Sequence, residues 1–220
     1  MLDLACEMRP CPLGATRHRK LLLSVQTKAA SRDSDQTLQD QTFPSLPFLT
    51  DESTGVSLSG ADAIVEYLYA TYADGEKPSP LVSAGFLASA RARLATIARG
   101  GSDPRGNDAE ITGSLKRGVA GAFYARPSVT VKKPLQLWAY EASPFCALVR
   151  ETLSALEIPY VNQPCARGST RRTTLQRRAG TFQVPYLEDP NTGVAMFESA
   201  EIIEYLRQSY QATPPPSTRE

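Results

Sequence analysis

Residues 47–72 and 185–210 carry the same pattern written twice. The first reads PFLTDESTGVSLSGADAIVEYLYATY and the second PYLEDPNTGVAMFESAEIIEYLRQSY. Without a gap they share Pro, Leu, Asp, Thr-Gly-Val, Ile, Glu-Tyr-Leu and a final Tyr, so the spacing predicts one structural unit used twice. A second ungapped match pairs Leu2–Leu21 with Leu156–Leu175 through Leu, Pro-Cys, Gly, Thr-Arg and Leu. It sets Met1 opposite Ala155, so the first copy starts after the segment equivalent to Leu135–Ser154. The first copy also carries an insertion around Val25–Gln41, a polar Ser/Asp/Gln/Thr stretch that reads as a loop or as disorder. A rival alignment sets Cys11-Pro12-Leu13-Gly14 against Ser143-Pro144-Phe145-Cys146. It needs a gap, and Thr16–Lys20 then lacks the apolar period of a core-facing helix.

Composition narrows the function. The 24 basic and 23 acidic residues nearly cancel, which leaves no general attraction to nucleic acid or to an anionic membrane. No apolar run approaches the roughly 20 residues of a spanning helix, and Met1-Leu2-Asp3-Leu4 lacks the basic start and long apolar core of a signal peptide. The cysteines (Cys6, Cys11, Cys146, Cys165) show neither disulfide-scaffold nor metal spacing. With a single histidine, His18, the composition argues against a zinc site, and a reducing compartment is the default.

The second copy reads as a complete α/β unit. Leu135–Tyr140 alternates like a strand, and Ser143-Pro144 has the chemistry of a helix start. Phe145, Leu148, Val149, Leu153 and Leu156 then recur at helical spacing as one buried face. Ile158–Val161 is a second strand, parallel to the first across the helix. Thr173–Arg178 is a short polar helix. Val184–Leu187 and Val194–Phe197 make a hairpin about Asp189–Gly193. Ser199 caps a last helix buried through Ile202, Ile203 and Leu206. The predicted domains are an incomplete unit over 1–74, a linker with one amphipathic helix over 75–133, the complete unit over 134–211 and a mobile tail over 212–220.

The order β-α-β-α-β-β-α, with Ser-Pro-Phe-Cys at 143–146, Gln183-Val184-Pro185 and Glu198-Ser199, resembles the thioredoxin-like N-terminal domain of glutathione transferases and the related glutaredoxins. Trp138-Ala139-Tyr140-Glu141, Pro164–Ser169 and the Pro-Asn-Thr-Gly turn of Val184–Leu206 are similar to a tandem form found in photosynthetic organisms. That form lacks the helical C-terminal domain. The resemblance implies glutathione as ligand, with an electrophile or a disulfide as co-substrate. It also implies a plastid location, although no targeting peptide is visible; otherwise the chain is cytoplasmic.

The resemblance also assigns roles. A cis bond before Pro185 turns the Val184 N–H and C=O outward, to take the cysteinyl part of glutathione as an added strand. Glu198 and Ser199 stand at a helix N-terminus, which favours the γ-glutamyl carboxylate, and Glu198 faces the ligand ammonium. Phe145 and Gln183 flank this site. Arg171 or Arg172 reaches the glycyl carboxylate, unless both form a solvated basic face. Where glutaredoxins have a nucleophilic cysteine this chain has Ser143, which cannot form a mixed disulfide but can hydrogen-bond the glutathione thiolate. Cys146 is either a reactive thiol for peroxide- or disulfide-responsive chemistry or a small core residue, and Tyr140 is an alternative hydroxyl donor. Cys11 and Cys165 are either glutathionylation sites or packing residues. His18 sits in a solvated basic run.

A second reading makes the chain a non-catalytic interaction module that keeps the fold without the ligand. Gly60-Ala61 stand in the first copy where the second has Glu198-Ser199. Lacking the first strand, residues 1–72 are expected to form a looser half-domain with an open sheet edge, which Val129-Thr130-Val131 could fill.

Overall fold

A computed structural model describes residues 3–11, 46–78 and 125–212. The insertion around 25–41, His18, the helix sought between 79 and 124 and most of the tail lie outside these residues. The chain divides into two compact units; residues 46–78 belong to one, residues 3–11 and 125–212 to the other.

Along the chain run β1 (Cys6–Met8), β2 (Phe48–Asp51), β3 (Val56–Ser59), α1 (Ala61–Tyr72), β4 (Leu135–Ala139), α2 (Pro144–Ala155), β5 (Tyr160–Pro164), α3 (Thr170–Ala179), β6 (Tyr186–Asp189), β7 (Val194–Phe197) and α4 (Ser199–Tyr210). The larger unit holds a five-stranded sheet in the order β1-β5-β4-β6-β7. β4 and β5 are parallel, with α2 as the crossover between them, and β6 and β7 continue antiparallel as a hairpin. From β4 to α4 this is the β-α-β-α-β-β-α order read from the sequence, with the first strand of the unit inside the sheet.

Its core lies between sheet and helices. Leu135 and Leu137 of β4, Cys146, Val149 and Leu153 of α2, Leu187 of β6 and Ile202, Ile203 and Leu206 of α4 are buried together. Trp138, Cys165, Leu175 and Tyr186 form a second cluster. One residue departs from the expected buried face: Phe145 is 60% exposed. It has the right helical phase, but it sits in the first turn of α2, at the rim of the sheet, and Cys146 takes the core place.

The helix starts also differ from expectation. Glu198, not Ser199, holds the cap position of α4, at φ 65°, and makes no side-chain cap hydrogen bond. α3 is longer than Thr173–Arg178 because Ser169 caps it, accepting from the Arg171 N–H, and left-handed Gly180 ends it.

In the smaller unit β2 and β3 form a two-stranded antiparallel sheet followed by α1. Two expectations for this half are corrected. β1 does not stay with β2 and β3; it pairs antiparallel with β5 in the larger unit. An isolated β2–β3 hairpin gives β1 no parallel neighbour, whereas β5 has an open edge. Val129–Val131 does not serve as a substitute strand there either. The Val129 N–H donates to Tyr210 O at 2.8 Å and Ser128 bridges Gln211, which straps this segment to the end of α4.

Candidate functional site

Strand register brings the sequence-predicted residues to one end of the larger sheet. Trp138, near the end of β4, lies opposite Tyr186, the first residue of β6. Tyr186 in turn lies opposite Phe197, the last residue of β7. Ala139 lies opposite Pro164, and the Cys165 N–H donates to Ala139 O at 2.8 Å. The loop into α2 (Tyr140–Ser143), the segment before β6 (Gln183–Pro185), the turn into α4 (Glu198–Ser199) and the turn into α3 therefore leave the sheet at a common edge.

Each loop presents different chemistry. Ser143 is half-buried and caps α2; its Oγ accepts from the Cys146 N–H at 3.3 Å. A hydroxyl has one donor and two acceptor sites, so this cap leaves the Ser143 O–H free to donate. The Val184–Pro185 peptide is cis. The Val184 N–H and C=O have no hydrogen-bond partner among the described residues, and its side chain packs against both core clusters. At the third loop the Gln183 amide donates to the Glu198 carboxylate, and both residues are exposed. The Ile202 N–H returns to Glu198 O at 2.9 Å, leaving the first-turn N–H groups of α4 at the open end.

Arg171 is already engaged. Its Nη1 lies 2.9 Å from an Asp3 carboxylate oxygen and donates to Asp3 O at 2.7 Å, while its Nε donates to Gln163 Oε1 at 3.0 Å. Ser169 Oγ lies 3.0 and 2.9 Å from the two Asp3 carboxylate oxygens. A carboxylate therefore already sits at the start of α3, supplied by the chain itself. Sequence pattern singled out Arg171 but not Ser169 or Asp3. The Ser-x-Arg spacing at a helix start was a readable signal; the partnership with Asp3 was not, because it spans most of the chain. Arg172 stacks instead over the Phe182 ring, 4.0 Å from its centroid.

The thiols are less available. Cys146 is fully buried, and its Sγ accepts from the Tyr140 N–H at 3.4 Å. Cys165 is 1% exposed, and burial pushes its thiol up to about 11. A thiolate is the reactive form, so Cys165 is protonated at neutral pH. Among the described residues no cluster of His, Cys, Asp and Glu could hold a metal ion, and no helix is long and apolar enough to cross a membrane.

The larger unit is thus a mixed α/β sheet with an open backbone segment, two helix N-termini and a hydroxyl at one end. Residues 137–215 match the family model for the glutathione S-transferase N-terminal domain. That match covers nearly the whole β4–α4 unit and carries its thioredoxin-like character. No curated protein matches the chain.

Proposed function

We propose that the larger unit binds glutathione and acts as a glutathione-transferase-like module in which Ser143 steadies the thiolate. The observation that carries this is the open Val184 backbone, set at the sheet end shared by Ser143 and Glu198 within the matched residues. The cysteinyl backbone of glutathione adds alongside Val184 as a short strand. The γ-glutamyl carboxylate meets the first-turn N–H groups of α4, where the helix dipole favours an anion, and the Glu198 carboxylate takes the ligand ammonium. The glycyl carboxylate takes the Ser169–Arg171 position by displacing Asp3. Ser143 donates its free O–H to the sulfur, which lowers the thiol pKa and orients the thiolate toward an electrophile.

The buried state of Cys146 and Cys165 favours packing roles for both over peroxide or disulfide chemistry. Phe145, exposed beside Ser143, is free to cover the bound sulfur.

The duplication supports a tandem arrangement of the same unit. Asp51, Ser53, Thr54, Tyr67 and Tyr72 repeat the hydrogen bonds of Asp189, Asn191, Thr192, Tyr205 and Tyr210. Leu46–Pro47 is cis as Val184–Pro185 is. In this reading only the second copy keeps a ligand site, because Gly60-Ala61 replaces the carboxylate and hydroxyl of Glu198-Ser199. A plastid location remains part of the same proposal by resemblance.

Titration of the full chain with glutathione tests it, followed by Trp138 fluorescence and by backbone NMR shifts. Saturable shifts at Ser143, Val184 and Ser199, lost in Glu198→Ala, are expected. No shift at millimolar glutathione would instead favour the interaction module, which binds protein partners through the retained fold.

A further inference from the structure

β1 covers the β5 edge of the sheet, and the way it does so is informative. The ungapped match of Leu2–Leu21 with Leu156–Leu175 makes Cys6, Glu7 and Met8 the equivalents of Tyr160, Val161 and Asn162. In the sheet Cys6 lies opposite Asn162, Glu7 opposite Val161 and Met8 opposite Tyr160. Each strand therefore pairs antiparallel with its own equivalent, about a local two-fold axis through Glu7 and Val161.

Among the described residues, the contacts that hold Cys6–Met8 are its backbone pairing with β5 and the clamp that precedes it. All three of its residues are exposed, so its apolar contribution is small. The clamp is Asp3, held by Ser169 and Arg171. The fit is also imperfect, because Asn162 Oδ1 is buried opposite Cys6 without a hydrogen-bond partner. Without β1, β5 would present a row of unpaired backbone groups, the usual template for strand addition.

We propose that the β5 edge is a self-recognition surface, on which β5 of a second copy of this chain takes the place of β1 in the same antiparallel register. Two chains then pair as a closed, two-fold dimer, with Val161 facing Val161, Tyr160 facing Asn162 and Asn162 facing Tyr160. Replacing the Glu7–Val161 pair by a β-branched apolar pair favours the exchange. Charge complementarity is kept. The residue of the second copy that comes to the place of Asp3 is Glu157, another carboxylate, which meets Ser169 and Arg171. Glu157 is buried in the single chain, so its side chain turns outward when the pair forms. β1 keeps the advantage of being tethered in the same chain, so the dimer forms when β1 is released. The pairing of β5 with β5 does not itself need glutathione, but the clamp residues Ser169 and Arg171 are shared with the proposed glycyl-carboxylate position, so the second copy and glutathione compete for them.

Sedimentation of the full-length chain tests the proposal. Met8→Pro removes an N–H that faces Tyr160 across the β1–β5 ladder and blocks the pairing, and Asp3→Lys sets a like charge against Arg171. Both variants are expected to shift from the 23.9 kDa single chain to twice that mass. Adding Val161→Cys to either should give, on oxidation, a disulfide between the two introduced thiols, one from each chain, identified by peptide mapping. The buried Trp138 signal reports that the sheet is intact; should Met8→Pro lose it, Asp3→Lys decides. Single-chain mass in a folded variant at high protein concentration overturns the proposal, and so does a dimer in which the introduced thiols do not join.

Discussion

Residues 46–73 and 184–211 build the same hairpin, the same turn and the same helix, and they differ in what surrounds them. In both, an aspartate at the end of a strand accepts from two tyrosines of the following helix. The second tyrosine ring stands nearly edge-on to the first, at 6.5 Å in one region and 6.4 Å in the other. Yet Asp189 is 1% exposed and Tyr210 6%, while Tyr72 is 37% exposed and α1 has no buried residue. Ile202, Ile203 and Leu206 are buried in α4; their equivalents Ile64, Val65 and Leu68 are only half-buried. Local hydrogen bonding is thus set by the repeated residues themselves. Burial requires a layer such as β4–α2–β5, and among the described residues only the second region folds against one.

The comparison has measurable consequences, the largest in the core. Leu206→Ala removes a fully buried side chain from beneath the sheet and should cost about 3 kcal/mol, read from denaturant unfolding by Trp138 fluorescence. Leu68→Ala should leave that transition unmoved. Equal losses would mean the two helices are equally buried in solution, and the contrast would fail.

Next is the aspartate. Burial by itself would push the Asp189 carboxyl up. Hydrogen bonds from Tyr205, Tyr210 and Asn191 outweigh it and hold the group below the usual carboxylate range. A carboxyl lowered on folding contributes its stability above the unfolded value of about 4 and loses it as pH falls through the folded value. Asp189→Asn should therefore cost about 2 kcal/mol at neutral pH and progressively less toward acid. Asp51 is held low in the same way, by Ser53, Tyr67 and Tyr72. It is only half-buried and lies in the smaller unit, so Asp51→Asn should not change the Trp138 transition at any pH.

A third test sets function against stability. Gly60 and Glu198 occupy the same cap position with positive φ, 92° and 65°. Glycine adopts this conformation freely, whereas a glutamate there is strained by roughly 1 kcal/mol or more. Glu198→Gly should stabilise the larger unit by up to about 1 kcal/mol while weakening glutathione about tenfold, a loss of roughly 1.4 kcal/mol in binding. Stabilisation with unchanged binding would remove Glu198 from the ligand site.

The smallest effect is expected at the N-terminal clamp. Asp3→Asn frees Arg171 for the glycyl carboxylate and should tighten glutathione a few-fold, on the order of 0.5 kcal/mol as expected for a part-exposed ion pair. Calorimetric titration distinguishes this from unchanged or weaker binding, which would make the contact structural only.

Much of the larger unit was readable from local pattern. The alternation of Leu135–Ala139, the Ser143-Pro144 helix start, the Asp189–Gly193 turn and the apolar period of Ile202–Leu206 each depend on neighbours in sequence. The structure forms them close to where the pattern puts them. The loops bearing Ser143, Val184 and Glu198 followed from the same order, since strand register alone carries them to one edge. Less legible were the residues whose state depends on what packs beyond them. Phe145 has a core residue's spacing but lies at the rim, Ser199 has a cap residue's chemistry but Glu198 takes the cap, and Arg171 has a free cation's composition but holds Asp3.

The sequence by itself determined the repeated hairpin, turn and helix, because backbone preference, turn chemistry and side-chain period act over a few residues and recur wherever those residues recur. Tertiary structure decided which copy acquired a core, which sheet took the strand Cys6–Met8 and which cation met Asp3. Those outcomes depend on open sheet edges and charged partners far apart in the chain, and a strand of three exposed residues settles on the edge that leaves the most backbone to pair with.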